Sequence, residues 1–283
     1  MNQIAPAHKK RNPTSLAISY QATVFSAVLF AGRLEDGLAA AHMHGFDAVE
    51  IGLRDPGVVD TAWLSRKLEQ YQLGFSAIAT GQSFYHDGLS LFASSPEISL
   101  AAMDRIKQFI IIAEKFGAFV VLGGIRGKLV GEKSDRDRQW ALGIQAIRQC
   151  ALFAQDHGVT LLLEPINRYE TNVVNTAEDG LRMLAELDVP NIKLLMDTFH
   201  MNIEEPSVPV TIEKLESHLG YIHFADSNRH APGQGHIPFT EILSALQKID
   251  YAGYISAEIL PLPEDSTAAS LAGTFLAQLL TEN

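Results

Sequence analysis

The sequence predicts an α/β chain that folds as a single (β/α)8 TIM barrel. Short apolar segments typical of buried strands alternate eight times with longer segments of helical periodicity, and no linker rich in Pro, Gly or Ser interrupts them. Four of the strands end on a carboxylate or a histidine. At 283 residues and 47% hydrophobic content, the chain is long enough for one such barrel. A doubly wound sheet is the structural alternative.

The first half of the chain contains four of the predicted β/α units. Their strands are 15–20, 46–51, 73–79 and 118–122, and their helices are 32–45, 61–71, 96–116 and 134–157. Ser134 is suited to cap the start of the fourth helix, and Gly158 is suited to end it. Residues 1–12 are predicted to form a flexible tail, so the barrel domain spans 13–283.

The second half begins with a strand that ends in a carboxylate. Residues 159–163 are apolar or β-branched, as in strands buried on both faces of a parallel sheet. Pro165 has no N–H to donate, so the strand ends at Glu164. Three later strands repeat this design, at 191–197, 220–223 and 253–258, with helices predicted at 176–187, 211–219, 239–249 and 264–280.

The ends of these four strands carry candidate metal ligands. The carboxyl ends of barrel strands share one face, so Glu164, Asp197, His223 and Glu258 should converge there. Three carboxylates and an imidazole suit one divalent ion, with Mn2+ or Co2+ favoured and Mg2+ a further candidate. Each residue alone has a simpler explanation, such as a helix cap or a buried histidine. Their occurrence at four equivalent positions favours a metal site.

Charge and cysteine content narrow the class of partner. A net charge of -11 disfavours binding to nucleic acid or to an anionic membrane surface, because both require a basic surface. The single cysteine, Cys150, excludes a disulfide framework, and no apolar run long enough to cross a membrane is present. We therefore expect a cytoplasmic protein that acts on a small molecule. A homo-oligomer is compatible with the sequence.

Several motifs resemble those of a known family. The segments Glu164–Glu170 (E-x-x-N-R-x-E), Asp197–Asn202 (D-T-F-H-M-N) and His223–Arg229 (H-x-x-x-x-N-R) are similar to motifs of xylose-isomerase-like TIM-barrel sugar isomerases and epimerases. They resemble in particular the ketose 3-epimerase group, which acts on tagatose and psicose. Segments 48–56, 80–84, 87–91 and 124–127 look most like those of the 5-keto-L-gluconate epimerases, which interconvert 5-keto-L-gluconate and D-tagaturonate.

The resemblance implies a metal-dependent epimerase that inverts the hydroxyl-bearing carbon next to a ketone through an enediolate. Glu164 and Glu258 would act as base and acid on opposite faces of this planar intermediate. Glu170, His200 and Arg229 would hold the oxygens of the substrate. The alternatives are a loop salt bridge for Glu170 and Arg229, and support of a metal ligand for His200.

Two arginines bear on the class of sugar. The carboxylate of a keto-uronate would be bound best by an arginine fork. Arg54 follows the second strand and Arg126 the fourth, so both should lie on the catalytic face, with Arg126 favoured for this role. The alternative is that each pairs with a carboxylate of the protein, such as Glu50 or Asp55. The loop after strand three, with Phe84 to His86, is where a lid would be expected.

Other functions remain compatible with the motifs. A neutral ketose 3-epimerase of the tagatose, psicose or ribulose type would need no cation besides the metal. An aldose–ketose isomerase would need no opposed bases, and an inosose dehydratase would need a further acid. A DNA-repair endonuclease shares the barrel, but the charge of -11 disfavours it. A sugar-binding protein without catalytic activity would not explain four ligating side chains together with Arg229.

Overall fold

The computed structural model describes residues 11–281 and confirms the predicted (β/α)8 barrel. Eight parallel strands close the barrel in chain order. They are β1 (Thr14–Ser19), β2 (Ala48–Gly52), β3 (Gly74–Ala79), β4 (Phe119–Leu122), β5 (Leu161–Leu163), β6 (Ile192–Asp197), β7 (Leu219–His223) and β8 (Ile255–Ala257). Within the described residues, no helix is both long enough and apolar enough to cross a membrane.

Helices follow the strands and cover the outside of the barrel. They are α1 (Leu34–Met43), α2 (Thr61–Tyr71), α3 (Gln82–Asp87), α4 (Pro96–Phe116), α5 (Lys133–Asp156), α6 (Ala177–Leu187), α7 (Thr198–Glu204), α8 (Val208–Leu215), α9 (Phe239–Lys248) and α10 (Asp265–Thr281). Two of them, α3 and α7, were not predicted. Both begin close after a strand, on the face that carries the candidate ligands.

One predicted helix differs from the observed one by several residues at each end. The predicted helix 211–219 corresponds to α8, which begins earlier because Pro209 favours the first turn of a helix. Glu216 ends it with a positive φ of 46°, and a 3-10 turn then leads into β7. The end of the predicted helix therefore overlaps the start of the seventh strand.

The end of the predicted tail is attached to the barrel. Residues 1–10 lie outside the described residues, but Arg11 forms an ion pair with Asp47 at 2.7 Å. The side-chain amide of Asn12 donates to the carbonyl oxygens of Tyr251 and Gly253 at 3.0 and 3.1 Å. These contacts connect the beginning of β1 to the segments before β2 and β8.

The inside of the barrel explains where the candidate ligands point. Five side chains from neighbouring strands pack in its interior: Ala77, Val121, Leu162, Leu195 and Tyr221. Successive side chains of a strand point to opposite faces, so a residue two positions further along returns to the inside. Leu162, Leu195 and Tyr221 are each followed at that spacing by a ligand. Glu164, Asp197 and His223 are therefore the next inward-facing layer above the apolar one.

A polar network lies beneath His223. The Tyr221 hydroxyl lies 2.8 Å from Ser76 Oγ, which donates to the carbonyl oxygen of Val49 and is also 2.8 Å from Ser15 Oγ. Because Ser76 has one proton to donate, Tyr221 must be the donor in its pair. The ring of Tyr221 meets that of His223 edge to face, with centroids 5.7 Å apart. Tyr221 therefore supports the ligand layer from below.

We expect Tyr221→Phe to lower the free energy of unfolding by about 1 kcal/mol, because it removes one buried hydrogen bond but keeps the ring. Tyr221→Ala should cost about 3–5 kcal/mol, since a fully buried ring is lost. Urea unfolding followed by circular dichroism measures both. Equal losses for the two variants would show that packing of the ring contributes little.

Candidate metal centre and active site

Four buried side chains converge at the carboxyl ends of β5 to β8. They are Glu164, Asp197, His223 and Glu258, the residues predicted from the sequence, and each offers a ligand atom within 4.8 Å of the others. His223 Nδ1 lies 3.8 Å from a carboxylate oxygen of Glu164 and 3.8 Å from one of Glu258. Side-chain atoms at these separations can surround a single ion.

The residues fit a divalent metal ion. Asp197 Oδ2 and His223 Nδ1 are buried atoms without a hydrogen-bond partner among the described residues. Such atoms are costly to bury unless they bind another group. Three carboxylates and one imidazole are also the donor set of hard or borderline divalent ions. The four residues could therefore hold one metal ion.

The raised pKa values of the three carboxyl groups also favour a metal ion at the centre of the cluster. Burial, followed by the neighbouring Glu258 carboxylate, raises the pKa of Glu164 to about 8. Burial also raises the pKa of Glu258 to about 7, against the opposing effects of His223 and Arg229. Burial is again the main cause of the raised pKa of Asp197. A cation at the centre would favour the charged form of all three.

Glu50 orients the histidine of the cluster. Burial would lower the pKa of His223, but the carboxylates of Glu50, Glu258 and Glu164 together raise it well above its ordinary value. One oxygen of Glu50 accepts from His223 Nε2 at 2.9 Å and from Ser256 Oγ at 3.0 Å. Nε2 is thereby held as a donor, which leaves Nδ1 to face the cluster and bind a metal.

Gly123 and Arg126 hold Glu164 in place. A Cβ at Gly123 would collide with the Glu164 carboxylate, so only glycine leaves that space. Arg126 is buried and donates to the backbone carbonyl oxygens of Gly123, at 3.1 Å, and of Glu164. Burial lowers the pKa of Arg126 to about 10. Arg126 thus lies behind Glu164 rather than in the lining of the cavity.

Arg54, the other predicted partner of a substrate carboxylate, also lies outside the cavity lining. Its guanidinium pairs with Asp87 at 2.7 Å, and Asp87 also binds Arg105 at 3.0 Å. This is the pairing with a protein carboxylate that was the alternative for Arg54. The substrate-binding roles of Arg54 and Arg126 stay predictions.

Asn167 fixes the tautomer of His200. Its amide nitrogen donates to Glu170 at 2.9 Å and lies 2.8 Å from His200 Nδ1, while its oxygen accepts from the backbone N–H of Tyr169. His200 Nδ1 must then accept, so its proton is on Nε2. Burial lowers the pKa of His200 well below its ordinary value, so the ring is neutral. The Nε2–H of His200 can therefore donate to an oxygen of a molecule bound in the cavity.

Arg229 connects the metal ligand Glu258 to Glu170, another candidate for substrate binding. Its guanidinium binds Glu258 at 2.9 Å and Glu170 at 3.4 Å, and it lies between the rings of Phe25 and Phe199. Burial alone would lower the pKa of Arg229, but the carboxylates of Glu258, Asp197 and Glu170 outweigh burial and raise this pKa above its ordinary value. Both Glu170 and Arg229 line the cavity, and they also form the salt bridge that was the alternative, so their substrate-binding roles stay predictions.

A cavity of about 540 Å³, including its opening to solvent, lies above the ligand cluster. Phe25 and Tyr85 stack over it with centroids 5.9 Å apart, and His86 Nε2 lies 3.2 Å from the hydroxyl of Thr23. The loops after β1 and β3 therefore meet in a roof. Tyr85 and His86 were predicted near a lid, but Phe25 was not.

Three residues at or near the cavity were not singled out in the sequence. Asn167 stands within the E-x-x-N-R-x-E motif, which was the available signal for it. Gln82 begins α3 and stands in segment 80–84, one of those that carry the resemblance, whereas Phe25 lies in the loop after β1, where no periodicity marks it.

Comparison with known proteins identifies the family. Residues 38–278 match the family described as the xylose isomerase-like TIM barrel. The chain belongs to this family. The L-ribulose 3-epimerase of Methylomonas sp. (strain DH-1) is 33% identical over 249 residues, which are 87% of this chain and 85% of that protein. These findings confirm the resemblance seen in the sequence motifs.

Two further relatives show the range of the family. The crystal structure of a D-allulose 3-epimerase from Methylomonas sp. in complex with D-allulose has a TM-score of 0.78 and 28% identity, covering 96% of this chain and 99% of that one. The 3-dehydro-D-guloside 4-epimerase of Escherichia coli is 34% identical over 112 residues, 40% of this chain and 43% of that protein. All three relatives are epimerases, which bears out the predicted isomerase class.

Metal binding should stabilise the protein more at about pH 8 than at about pH 6. The pKa values of about 8 for Glu164 and 7 for Glu258 lie above the ordinary 4.5. The metal-free native state therefore holds extra protons, and it loses stability as the pH rises through these values. At lower pH, Mn2+ must displace the protons. Thermal unfolding with and without Mn2+ tests this, and an equal or larger shift at the lower pH would contradict it.

Loss of Glu50 should weaken metal binding, because His223 would no longer be held with Nδ1 toward the cluster. We expect Glu50→Ala to raise the Kd for Mn2+ by about 10- to 100-fold, and Glu50→Gln, which keeps an acceptor oxygen, to raise it less. Isothermal titration calorimetry measures the Kd, and the visible spectrum of the Co2+ form reports the ligand geometry. Tyr221→Phe is the matched control beneath the same histidine. An unchanged Kd in folded Glu50→Ala would refute the role.

Proposed function

We propose that the protein is a metal-dependent ketose 3-epimerase that acts on neutral ketoses, with Mn2+ or Co2+ as its metal. The observation that carries this proposal is the pair of carboxylates, Glu164 and Glu258, which each lie 3.8 Å from His223 Nδ1 and line the same cavity. Inversion at carbon needs a proton removed from one face and returned to the other. An aldose–ketose isomerase has no need for such an opposed pair.

The residues of the chain divide the chemistry between them. A divalent ion held by the four ligands would polarise the ketone and make the adjacent C–H more acidic. One of Glu164 and Glu258 removes that proton, and the other delivers a proton to the opposite face of the enediolate; their roles exchange with reaction direction. His200 Nε2–H donates to a substrate oxygen and favours its negative charge.

Arg229 keeps Glu258 in position for its part in this reaction. Its guanidinium donates to Glu258 at 2.9 Å and is held from the other side by Glu170 at 3.4 Å. The guanidinium carbon lies 5.3 Å from the centroid of the Phe25 ring and 4.9 Å from that of the Phe199 ring, and the Arg229 side chain is largely buried. A buried charge-assisted hydrogen bond fixes the carboxylate in one orientation, which proton transfer requires.

The charges in the cavity favour a neutral sugar over the keto-uronate expected from the sequence. Among the described residues that line it, Arg229 is the one Lys or Arg side chain, and carboxylates of the protein already surround it. Glu50 and Gln82 also line the cavity, and each has a buried side-chain oxygen, Oε1, with no hydrogen-bond partner within residues 11–281. Acceptor oxygens attract hydroxyl groups and repel a carboxylate.

A panel of sugars in D2O tests the proposal. We expect the Mn2+-loaded protein to epimerise at least one of D-psicose, D-tagatose and L-ribulose faster than 5-keto-L-gluconate. Solvent deuterium should appear at the inverted carbon of both epimers, because each proton passes through a carboxylate that exchanges with water. Proton and carbon NMR measure product and label together.

The metal-stripped protein is the control for this experiment and should be inactive until Mn2+ is restored. Product without deuterium at the inverted carbon would exclude proton transfer by Glu164 and Glu258. Preferential turnover of 5-keto-L-gluconate would instead support the keto-uronate, and the contribution of Arg126 would then have to be reconsidered.

A further inference from the structure

Gln82 lines the cavity, and its side-chain amide is a buried polar group whose oxygen has no hydrogen-bond partner among the described residues. Gln82 is the first residue of α3 and is 4% exposed. Its Nε2 donates to Ser19 Oγ at 2.7 Å, whereas its Oε1 makes no hydrogen bond within residues 11–281. An unpaired buried acceptor is unfavourable until a donor reaches it. A molecule in the cavity can supply that donor.

The hydroxyl of Ser19 fixes the direction of this amide. Ser19 Oγ donates its one proton to the carbonyl oxygen of Gln21 at 2.6 Å, so toward Gln82 it can only accept. The NH2 group of Gln82 must therefore face Ser19. Rotating the Gln82 amide by about 180° would place its Oε1 against Ser19 Oγ, and neither oxygen would then have a proton to donate to the other. The hydrogen bonds of the protein itself therefore fix the amide with Nε2 against Ser19 and Oε1 on the side away from it.

Gly52 provides the space in which the amide lies. A Cβ at Gly52 would be 2.7 Å from Gln82 Nε2, which is closer than such atoms approach one another. The atom it would meet is the end of a flexible side chain, so an alanine could be accommodated if the amide moved. Gly52→Ala would therefore displace the amide from Ser19 without removing it.

Gln82 lies across the cavity from two of the metal ligands. Its amide is held by Ser19 at the end of β1 and lies beside Gly52 at the end of β2. In a closed barrel of eight strands, β1 and β2 are opposite β5 and β6, which carry Glu164 and Asp197. If the ketone of a ketose lies at the ligand cluster, the rest of its carbon chain would have to occupy the remainder of the same cavity, which Gln82 lines.

We propose that Gln82 Oε1 accepts a hydrogen bond from a sugar hydroxyl outside the two reacting carbons, and that it selects ketoses carrying this hydroxyl. The inference rests on the proposed epimerase function and adds a determinant of substrate choice to it. A site built to bind a hydroxyl rejects the analogue that lacks it, because the acceptor of the protein is then left unpaired.

Deoxy sugars test this contact. We would measure kcat/KM of the Mn2+-loaded wild type and of Gln82→Met for the ketose of the panel that is converted fastest, and for its analogues lacking the hydroxyl at C1, C4, C5 or C6. The wild type should discriminate against one analogue by about tenfold to a hundredfold. In Gln82→Met, which has a similar length but no acceptor oxygen, that ratio should fall to about twofold or less, while the other ratios stay unchanged.

Two further variants separate this role from a structural one. Gly52→Ala keeps the glutamine but moves its amide, so it should also lose the discrimination. Gln139→Met is the matched control, because Gln139 is a buried glutamine whose amide binds the backbone of Val130 and which does not line the cavity. It should keep the wild-type ratios. The Kd for Mn2+, measured in every variant, shows whether the ligand cluster is intact.

The outcomes are distinguishable. Loss of discrimination at one carbon in both Gln82→Met and Gly52→Ala supports the proposal. An active wild type whose ratios are the same in Gln82→Met, or a variant that loses activity equally on all the sugars, overturns it and leaves the epimerase function standing. A wild type that converts none of the ketoses overturns the proposed function, and the inference with it.

Discussion

Three carboxylates buried side by side at one end of the barrel are the constraint on which the surrounding contacts depend. Burial, with the neighbouring carboxylates, raises the pKa of Glu164 to about 8 and that of Glu258 to about 7, so the charged forms of these groups are unfavourable side by side. The protein places His223 between them and Arg229 against Glu258. His223 and Arg229 offset only part of the repulsion, and the remaining negative potential would favour a divalent ion at the centre of the cluster.

The ligand layer is built by a regular feature of the fold. Each ligand on β5, β6 and β7 follows an inward-facing core residue by two positions, so the strand itself aims the side chain. The supports differ from one ligand to the next. Glu164 depends on the missing side chain of Gly123, and His223 depends on the carboxylate of Glu50. The alternation of side chains along each strand therefore points the ligand side chains into the barrel, and contacts with individual neighbours fix their final positions.

This division explains what could be predicted from the sequence. Buried strands that end in Glu164, Asp197, His223 and Glu258 were recognisable, because apolar runs and their terminal polar residues are local signals. The pairing of Arg54 with Asp87, and the position of Arg126 behind Glu164, depend on contacts between distant segments, which no local pattern reports. The same holds for Gln82, whose direction is decided by a hydroxyl on another strand. Helix limits near Glu216 were missed because a positive φ there has no clear residue signal.

The roof of the cavity has an electrostatic consequence. Phe25 stacks on Tyr85 and at the same time covers one face of the Arg229 guanidinium, with Phe199 against the guanidinium as well. Any movement that carries Phe25 away from Tyr85 lets water reach Arg229 and raises the local dielectric constant around its pair with Glu258. With Phe25 displaced in this way, Glu258 would be held less firmly than it is with the roof in place. Under the proposed function, entry of a sugar and the positioning of this acid–base carboxylate would be parts of the same motion.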